Sequence, residues 1–349
     1  MIGIIADASD PEAIREAAGI IRKGGLVAFP TETVYGLGAD AGNAVAVARI
    51  FEAKRRPRID PLIVHAADME SARRYGNFPD AALPLMEKFW PGPLTLVAGR
   101  TSLVPSIVTA GLDTVAIRVP AHPAALALIR AAGCAIAAPS ANPFGYVSPT
   151  EAVHVAEQLG DAVDLILDGG ASAIGVESTI LSFEASGPVI LRAGGTPVED
   201  IRFILGGTDI RIESVLRPSV PGQMKRHYST RTPLEIIEIA ENCNSAQRVE
   251  KQEERVGLLT LTLMEDASHY AAVEILSPAG DLREAAAGLF RALRRLDSLS
   301  LDRIVARPVP EMGLGLAIMD RLRRCAAAAE TVDYGSLSEK TIPNCEIPQ

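Results

Sequence analysis

The chain lacks the usual marks of a metal-bound or disulfide-stapled scaffold. Its four cysteines, Cys134, Cys243, Cys325 and Cys345, are widely spaced and form no CxxC pair. That spacing argues against a zinc knuckle or a disulfide framework and fits a reducing, cytoplasmic setting. Aromatic residues make up only 4%, a scarcity that argues against strong binding of single-stranded nucleic acid by base stacking. No run of 18 uncharged apolar residues occurs, and the N-terminal "MIGIIADASD" has no basic n-region, so neither a membrane span nor a secretory signal is expected. Positive charge is also in deficit, with 34 Lys and Arg against 43 Asp and Glu and a formal net charge of −9. A broad basic face for a nucleic-acid backbone is therefore not expected, and any bound anion must be held by a local cluster.

Several motifs are missing as well. There is no GxxxxGK[ST], no GxGxxG between a strand and a helix, no HExxH and no GxSxG. These absences argue against a P-loop, a dinucleotide fold, a zinc protease and a serine hydrolase. Phosphate would have to be held by side chains.

With 349 residues, 48% apolar and 22% charged, the chain reads as a soluble globular protein of two domains. Helical periodicity over 11–23, 43–56, 122–132 and 150–159 alternates with apolar runs such as "LVAFP", "PLIVHA", "LTLVAG", "TVAIRVP", "DLILDGG", "STILSF" and "PVILRAG". No regular βαβ period recurs, which predicts an α/β fold with a twisted sheet of mixed direction over 1–207. A proline-rich linker is expected over 208–233. A smaller, Rossmann-like α/β domain follows over 234–330, and then a polar, mobile tail over 331–349.

The candidate functional residues sit where these strands end. "LVAFPTETVYGLGADA" places Thr31, Glu32, Thr33 and Tyr35 at the mouth of an apolar strand, more polar groups than a plain turn needs. In "KRRPRIDP", Lys54, Arg55 and Arg56 complement a helix C-terminus, or Lys54 and Arg58 converge on a polyphosphate. In "APSANPFGYVSPT", Ser148 reads as a helix cap, while Ser140 and Asn142 serve either a turn or a ligand. "GVESTI" brings Glu177, Ser178 and Thr179 to a strand start, and "ILRAGG" brings Arg192 to a strand end. Arg118, inside the apolar "VAIRVP", needs an anionic partner, either an internal Asp or Glu or a substrate carboxylate. His65 either faces a ligand or caps its strand; His122, His154 and His269 read as surface positions. Hydroxyls and isolated cations at strand ends suit positioning and charge stabilisation rather than a covalent nucleophile.

Taken in order, "FPTETVYGLGADA", "KRRPRIDPLIVH", "WPGPLTLV", "GLDTVAIRVP", "PSAN" with "SPT", "GVESTI" and "LRAGG" resemble the YrdC-like family. The linker "PGQMKRHY" and the segment "VPEMGLGLAIMDRLRRCA" extend the likeness to its long, two-domain form. The resemblance implies a nucleotidyltransferase that joins L-threonine, bicarbonate and ATP into threonylcarbamoyl-AMP, releasing pyrophosphate. It implies Mg²⁺ as a companion of ATP and, downstream, a transferase that modifies tRNA; stable nucleic-acid binding is not expected, and the protein is expected to be a monomer. By the same resemblance Thr31, Tyr35, His65, Arg118 and Ser178 hold threonine. Lys54 and Arg58 hold the triphosphate as the catalytic cations, and Ser140, Asn142, Arg192 and Tyr228 approach the nucleotide. The linker departs from the family's usual "PGMKYRHYAP" in carrying Lys225 or Arg226 at an aromatic position, which alters its contacts if it closes as a lid over the active site. Two other readings remain: a carbamoyl-adenylate-forming relative with a different acceptor, and an RNA-binding translation or ribosome-assembly factor.

Overall fold

The computed structural model of the protein describes residues 4–213, 228–237, 254–264 and 267–329. Most of the expected linker, with Lys225 and Arg226, and the tail 331–349 lie outside the described residues, as do Cys243 and Cys345.

Twelve strands form the larger sheet: β1 (Ile5–Asp7), β2 (Val27–Phe29), β3 (Gly36–Asp40), β4 (Ile63–His65), β5 (Gly76–Asn77), β6 (Leu94–Arg100), β7 (Thr114–Arg118), β8 (Ile136–Ala137), β9 (Leu165–Asp168), β10 (Thr179–Glu184), β11 (Gly187–Arg192) and β12 (Arg211–Ile212). Their order is β1-β9-β2-β3-β8-β4-β7-β6-β10-β11-β12, with β5 pairing to β6. Pairs such as β4–β7 and β6–β10 are parallel, while β2–β3, β6–β7 and β10–β11 are antiparallel. The sheet is therefore mixed, as the missing βαβ period predicts, and it extends through β12 beyond the expected boundary at 207. That edge strand is two exposed residues long, too short to leave a readable pattern.

Packed against this sheet are α1 (Pro11–Arg22), α2 (Ala44–Lys54), α3 (Met69–Tyr75), α4 (Leu83–Phe89), α5 (Pro123–Ala132), α6 (Ala152–Leu159) and α7 (Val198–Ile204). Asp10 caps α1 by accepting from Glu12 N, with Pro11 at the first helical position, the arrangement that satisfies a free N–H and presets φ. Asn43 caps α2 by accepting from Val45 N and Ala46 N.

Sequence reading passes over β3 because its residues are "GLGAD". The glycine at 38 is a packing requirement: a Cβ there would stand 2.7 Å from both the Phe29 ring and Ile136. Strand β3 pairs antiparallel with β2, so the polar stretch Pro30–Tyr35 is the connection of a hairpin in the middle of the sheet.

The smaller sheet is wholly parallel. It holds β13 (Leu234–Ile236), β14 (Val256–Thr260), β15 (Ala272–Ile275) and β16 (Arg303–Ala306) in the order β13-β16-β14-β15. Helices α8 (Leu282–Asp297) and α9 (Gly315–Ala329) accompany it. Its core includes Val34, Val147, Val176 and Ala193 of the larger unit alongside Leu289, Phe290, Ile304 and Leu322, so the two units share one apolar interface. Gly175, at φ +77°, sits so close to α8 that a Cβ would lie 2.4 Å from Ala286 O; only glycine permits both that backbone angle and that approach.

Candidate active site

A pocket opens at the ends of strands β3, β4, β7, β10 and β11. Thr31, Thr33, Tyr35, Arg56, His65, Arg118, Ser140, Glu177, Ser178, Arg192 and Tyr228 are among its walls. The sheet brings them together. In the parallel β4–β7 pair, His65 stands opposite Arg118, and in β6–β10 Thr179 stands opposite Leu94. Thr95 Oγ1 and Ser178 Oγ are thereby left 2.7 Å apart. Gly194 lets the two loops touch, since a Cβ there would meet Glu177 O at 2.2 Å.

One side of the pocket is built on Arg118. Its Nε donates to Gly92 O at 3.1 Å, Nη1 donates to Thr33 Oγ1 at 2.9 Å, and Nη2 is 2.6 Å from Glu32 Oε1. Of the two partners open to it in the sequence, the internal carboxylate is present, so a substrate carboxylate is not needed to make burial of this arginine tolerable. Thr31 Oγ1 donates to Val34 O at 2.6 Å and accepts from the amides of Thr33 and Val34. Its 2.8 Å contact with Thr33 Oγ1 must then use the Thr33 hydrogen. Thr31 thus spends its hydroxyl within the loop, while Thr33 keeps a lone pair. Tyr35 is part of the pocket wall, but its hydroxyl is spent elsewhere, donating to Gly170 O at 2.7 Å.

His65 is 4% exposed, packs edge-on against Phe29, and has its Nδ1 buried without a hydrogen-bond partner. Burial, reinforced by the charge of Arg118, pushes its pKa down to about 3. The imidazole is therefore neutral at ordinary pH and does not serve merely as a strand cap.

The other side differs from expectation. Arg55 ends α2 in the left-handed region, at φ 51°, and this turns Arg56 inward. Arg56 is paired with Asp60 at 2.8 Å, donates to Asp60 O and Pro61 O, and lies over the Phe144 ring. Its Nη1 carries no partner among the described residues. Arg58 is exposed and not part of the pocket wall. Lys54 is fully buried behind that wall, where its ammonium donates to Ser140 O at 2.6 Å and to Asn142 O. Burial, then the charge of Arg56, pushes the Lys54 pKa well below its ordinary value. The pair expected to converge, Lys54 and Arg58, is thus split, and Arg56 stands in the pocket instead. Asn142 also lies behind the wall, its Nδ2 donating to Pro143 O and Tyr146 O. Ser140 is half-buried and lines the pocket.

Arg192 donates from Nε and Nη2 to Ser178 O and from Nη2 to Ser178 Oγ at 3.0 Å. Tyr228 is buried at φ 61°, stacked on Phe290 of α8, and burial pushes its pKa up to about 12. Ser148 caps no helix, since Glu151 precedes α6; it donates to Glu177 Oε1 at 2.5 Å. Glu177 Oε2 in turn accepts from Arg321 of α9 at 2.9 Å, and Arg321 also lies over the Tyr228 ring. His154, read as a surface position, is 9% exposed. The sequence marks Thr33 at the strand mouth and Arg56 at a helix end without giving either a ligand role, and it does not mark Arg321. The only local signal for Arg56 was its place in the "KRRPR" run, and Arg321 acts over too long a separation to leave one.

Comparison with known proteins places the chain. Residues 19–194 match the family model described as "Telomere recombination", and residues 197–327 match "Threonylcarbamoyl-AMP synthase, C-terminal domain". The chain is 44% identical to the threonylcarbamoyl-AMP synthase of Pyrococcus abyssi, over 90% of this chain and 94% of that one. It is 45% identical to that of Bacillus subtilis, over 91% and 94%, and 38% identical to that of Schizosaccharomyces pombe, over 90% and 88%. The crystal structure of P. abyssi Sua5 complexed with L-threonine superposes with a TM-score of 0.86 at 42% identity, covering 94% of this chain and 98% of that one. With matches spanning both units, the chain belongs to the threonylcarbamoyl-AMP synthase family.

Proposed function

We propose that the pocket joins L-threonine, bicarbonate and ATP into threonylcarbamoyl-AMP and pyrophosphate. The observation that carries this reading is the convergence of a buried arginine, a neutral histidine and threonine hydroxyls on one side with two further arginines on the other. The first set matches an amino acid and the second a polyphosphate. Arg118 would grip the threonine carboxylate with its remaining N–H groups. Thr33, His65 Nδ1 and Ser178 would accept or exchange hydrogens with its amine and hydroxyl, while Thr31 and Tyr35 shape the wall.

The amine attacks bicarbonate to give a carbamate and water. A carbamate oxygen then attacks the α-phosphorus, and pyrophosphate leaves. Negative charge grows on the phosphates, so Arg56 and Arg192 would do the stabilising, with Ser140 and Tyr228 beside the nucleotide. Lys54 and Asn142 hold the loop that carries Ser140, and Arg58 has no assigned role.

No group of three or more His, Cys, Asp or Glu that could hold a metal occurs among the described residues, and Asp60 and Glu177 are each taken by an arginine. Mg²⁺ would enter as the magnesium salt of ATP. The product would pass in the cytoplasm to a transferase that modifies tRNA.

Pyrophosphate release from ATP by the purified chain tests the reading. Release should need both L-threonine and bicarbonate. Release without threonine, or with another amine acceptor in its place, would point to the carbamoyl-adenylate-forming alternative.

A further inference from the structure

Arg118 is 3% exposed and closes β7. A guanidinium carries five N–H donors. Gly92 O takes the one on Nε and Thr33 Oγ1 takes one on Nη1, while Nη2 lies 2.6 Å from Glu32 Oε1 as an ion pair and makes no hydrogen bond among the described residues. One N–H on Nη1 and those on Nη2 are thus unspent, and the two nitrogens together are a pair that a carboxylate can span with two parallel bonds. Glu32 belongs to the same hairpin connection as Thr31 and Thr33. Both of its carboxylate oxygens are buried with no hydrogen-bond partner beyond this ion pair. Arg118 and Thr33 line the pocket, whereas Glu32 does not.

We propose that Glu32 is a positioning residue for amino-acid recognition: its ion pair fixes the plane of the Arg118 guanidinium so that an N–H on each of Nη1 and Nη2 faces the threonine carboxylate. This rests on the assignment of Arg118 to that carboxylate. A long side chain with several rotatable bonds loses bidentate geometry when one of its anchors goes. The opposite idea, that Glu32 is a stand-in anion that threonine must displace, predicts an effect of opposite sign.

The test is pyrophosphate release by the full chain, with L-threonine and ATP varied in turn, in wild type, Glu32→Asp and Glu32→Gln. Asp keeps the charge but withdraws the oxygen by one methylene; Gln keeps the reach and an acceptor but loses the charge. Neither leaves a large hole. The expected result for Glu32→Asp is a rise of about tenfold in the threonine KM with the ATP KM within about twofold, while Glu32→Gln stays within about threefold of wild type. A threonine KM that is unchanged or lower in Glu32→Asp overturns the proposal, and so does an equal rise in both KM values. Arg118→Lys, measured alongside, separates the two assignments. If it leaves the threonine KM unchanged, Arg118 does not grip the carboxylate and the role of Glu32 falls with it. If it raises that KM while Glu32→Asp does not, Glu32 alone is excluded.

Discussion

Arg118 and Arg321 are both buried, and each is answered by a glutamate, but the two pairs are built over different distances. Glu32 reaches Arg118 from the neighbouring hairpin connection of the same sheet. Arg321 comes from α9 of the smaller unit to Glu177, which lies beside the pocket residue Ser178. The ion pair at one end of the pocket is therefore complete within the larger unit. The other end is braced from outside, through Arg321 on Glu177 and through Asp297 of α8, which accepts from the Tyr146 hydroxyl at 2.6 Å and from Thr232 N at 2.8 Å. The difference assigns a role to the smaller unit: it holds the wall formed by Glu177 and Tyr228 together with the 140–148 loop, while the ion pair of Arg118 is made without it.

The sharpest way to break that contrast is Arg321→Ala. It strands a buried carboxylate, and removing one partner of a buried pair costs about 3–5 kcal/mol. The melting temperature should fall strongly, and in the folded fraction the KM for ATP should rise. If only the threonine KM moves, the division between the two ends is wrong. Next in size is Arg118→Ala. Truncating a buried charged partner typically removes 2–5 kcal/mol, so the threonine KM should rise about 100-fold while the ATP KM holds. Steady-state pyrophosphate release with each substrate varied reads both.

Smaller effects sharpen the phosphate end. Arg56→Ala should raise the ATP KM about tenfold, whereas Arg58→Ala, an exposed position, should stay within about twofold. Comparable losses in both variants would return Arg58 to the site.

The smallest effect is in pH dependence. His65 has an ordinary pKa of 6.5 but is held near 3 in the fold, by burial first and then by Arg118. The unfolded chain therefore binds a proton that the folded chain refuses. The stability that neutral His65 contributes is fully present above about pH 6.5 and is lost progressively as pH falls towards 3. Melting temperatures measured from about pH 7 to pH 4 should fall less steeply in His65→Gln than in wild type. The pH profile of the threonine KM should show no step near 6.5.

Much of this was readable beforehand because it is local. The apolar runs around Val27, Ile63, Leu94, Thr114 and Leu165 became strands, and a charged or polar residue at the end of such a run, such as His65 or Arg118, duly faced the pocket. What was hidden depends on facts that no window of sequence contains. Strand β3 was concealed by glycines that exist to let Phe29 and Ile136 pack closely. That Arg56 rather than Arg58 lines the pocket turns on the backbone of one residue, Arg55, adopting the left-handed region at a helix end. Glu32 was visible as a polar residue at a strand mouth, but its partner lies on another strand of the folded sheet. Arg321 could not be read at all as part of the site, because its partner is 144 residues away and only packing of the smaller unit brings them together.

The most direct test is the product itself. The purified chain is incubated with ATP, isotope-labelled bicarbonate and L-threonine, and the nucleotides formed are identified by mass spectrometry. The account predicts one adenylate containing both the threonine and the labelled carbon, formed together with pyrophosphate and absent when either co-substrate is omitted. An adenylate that lacks threonine, or nucleotide hydrolysis that proceeds without it, would contradict the account.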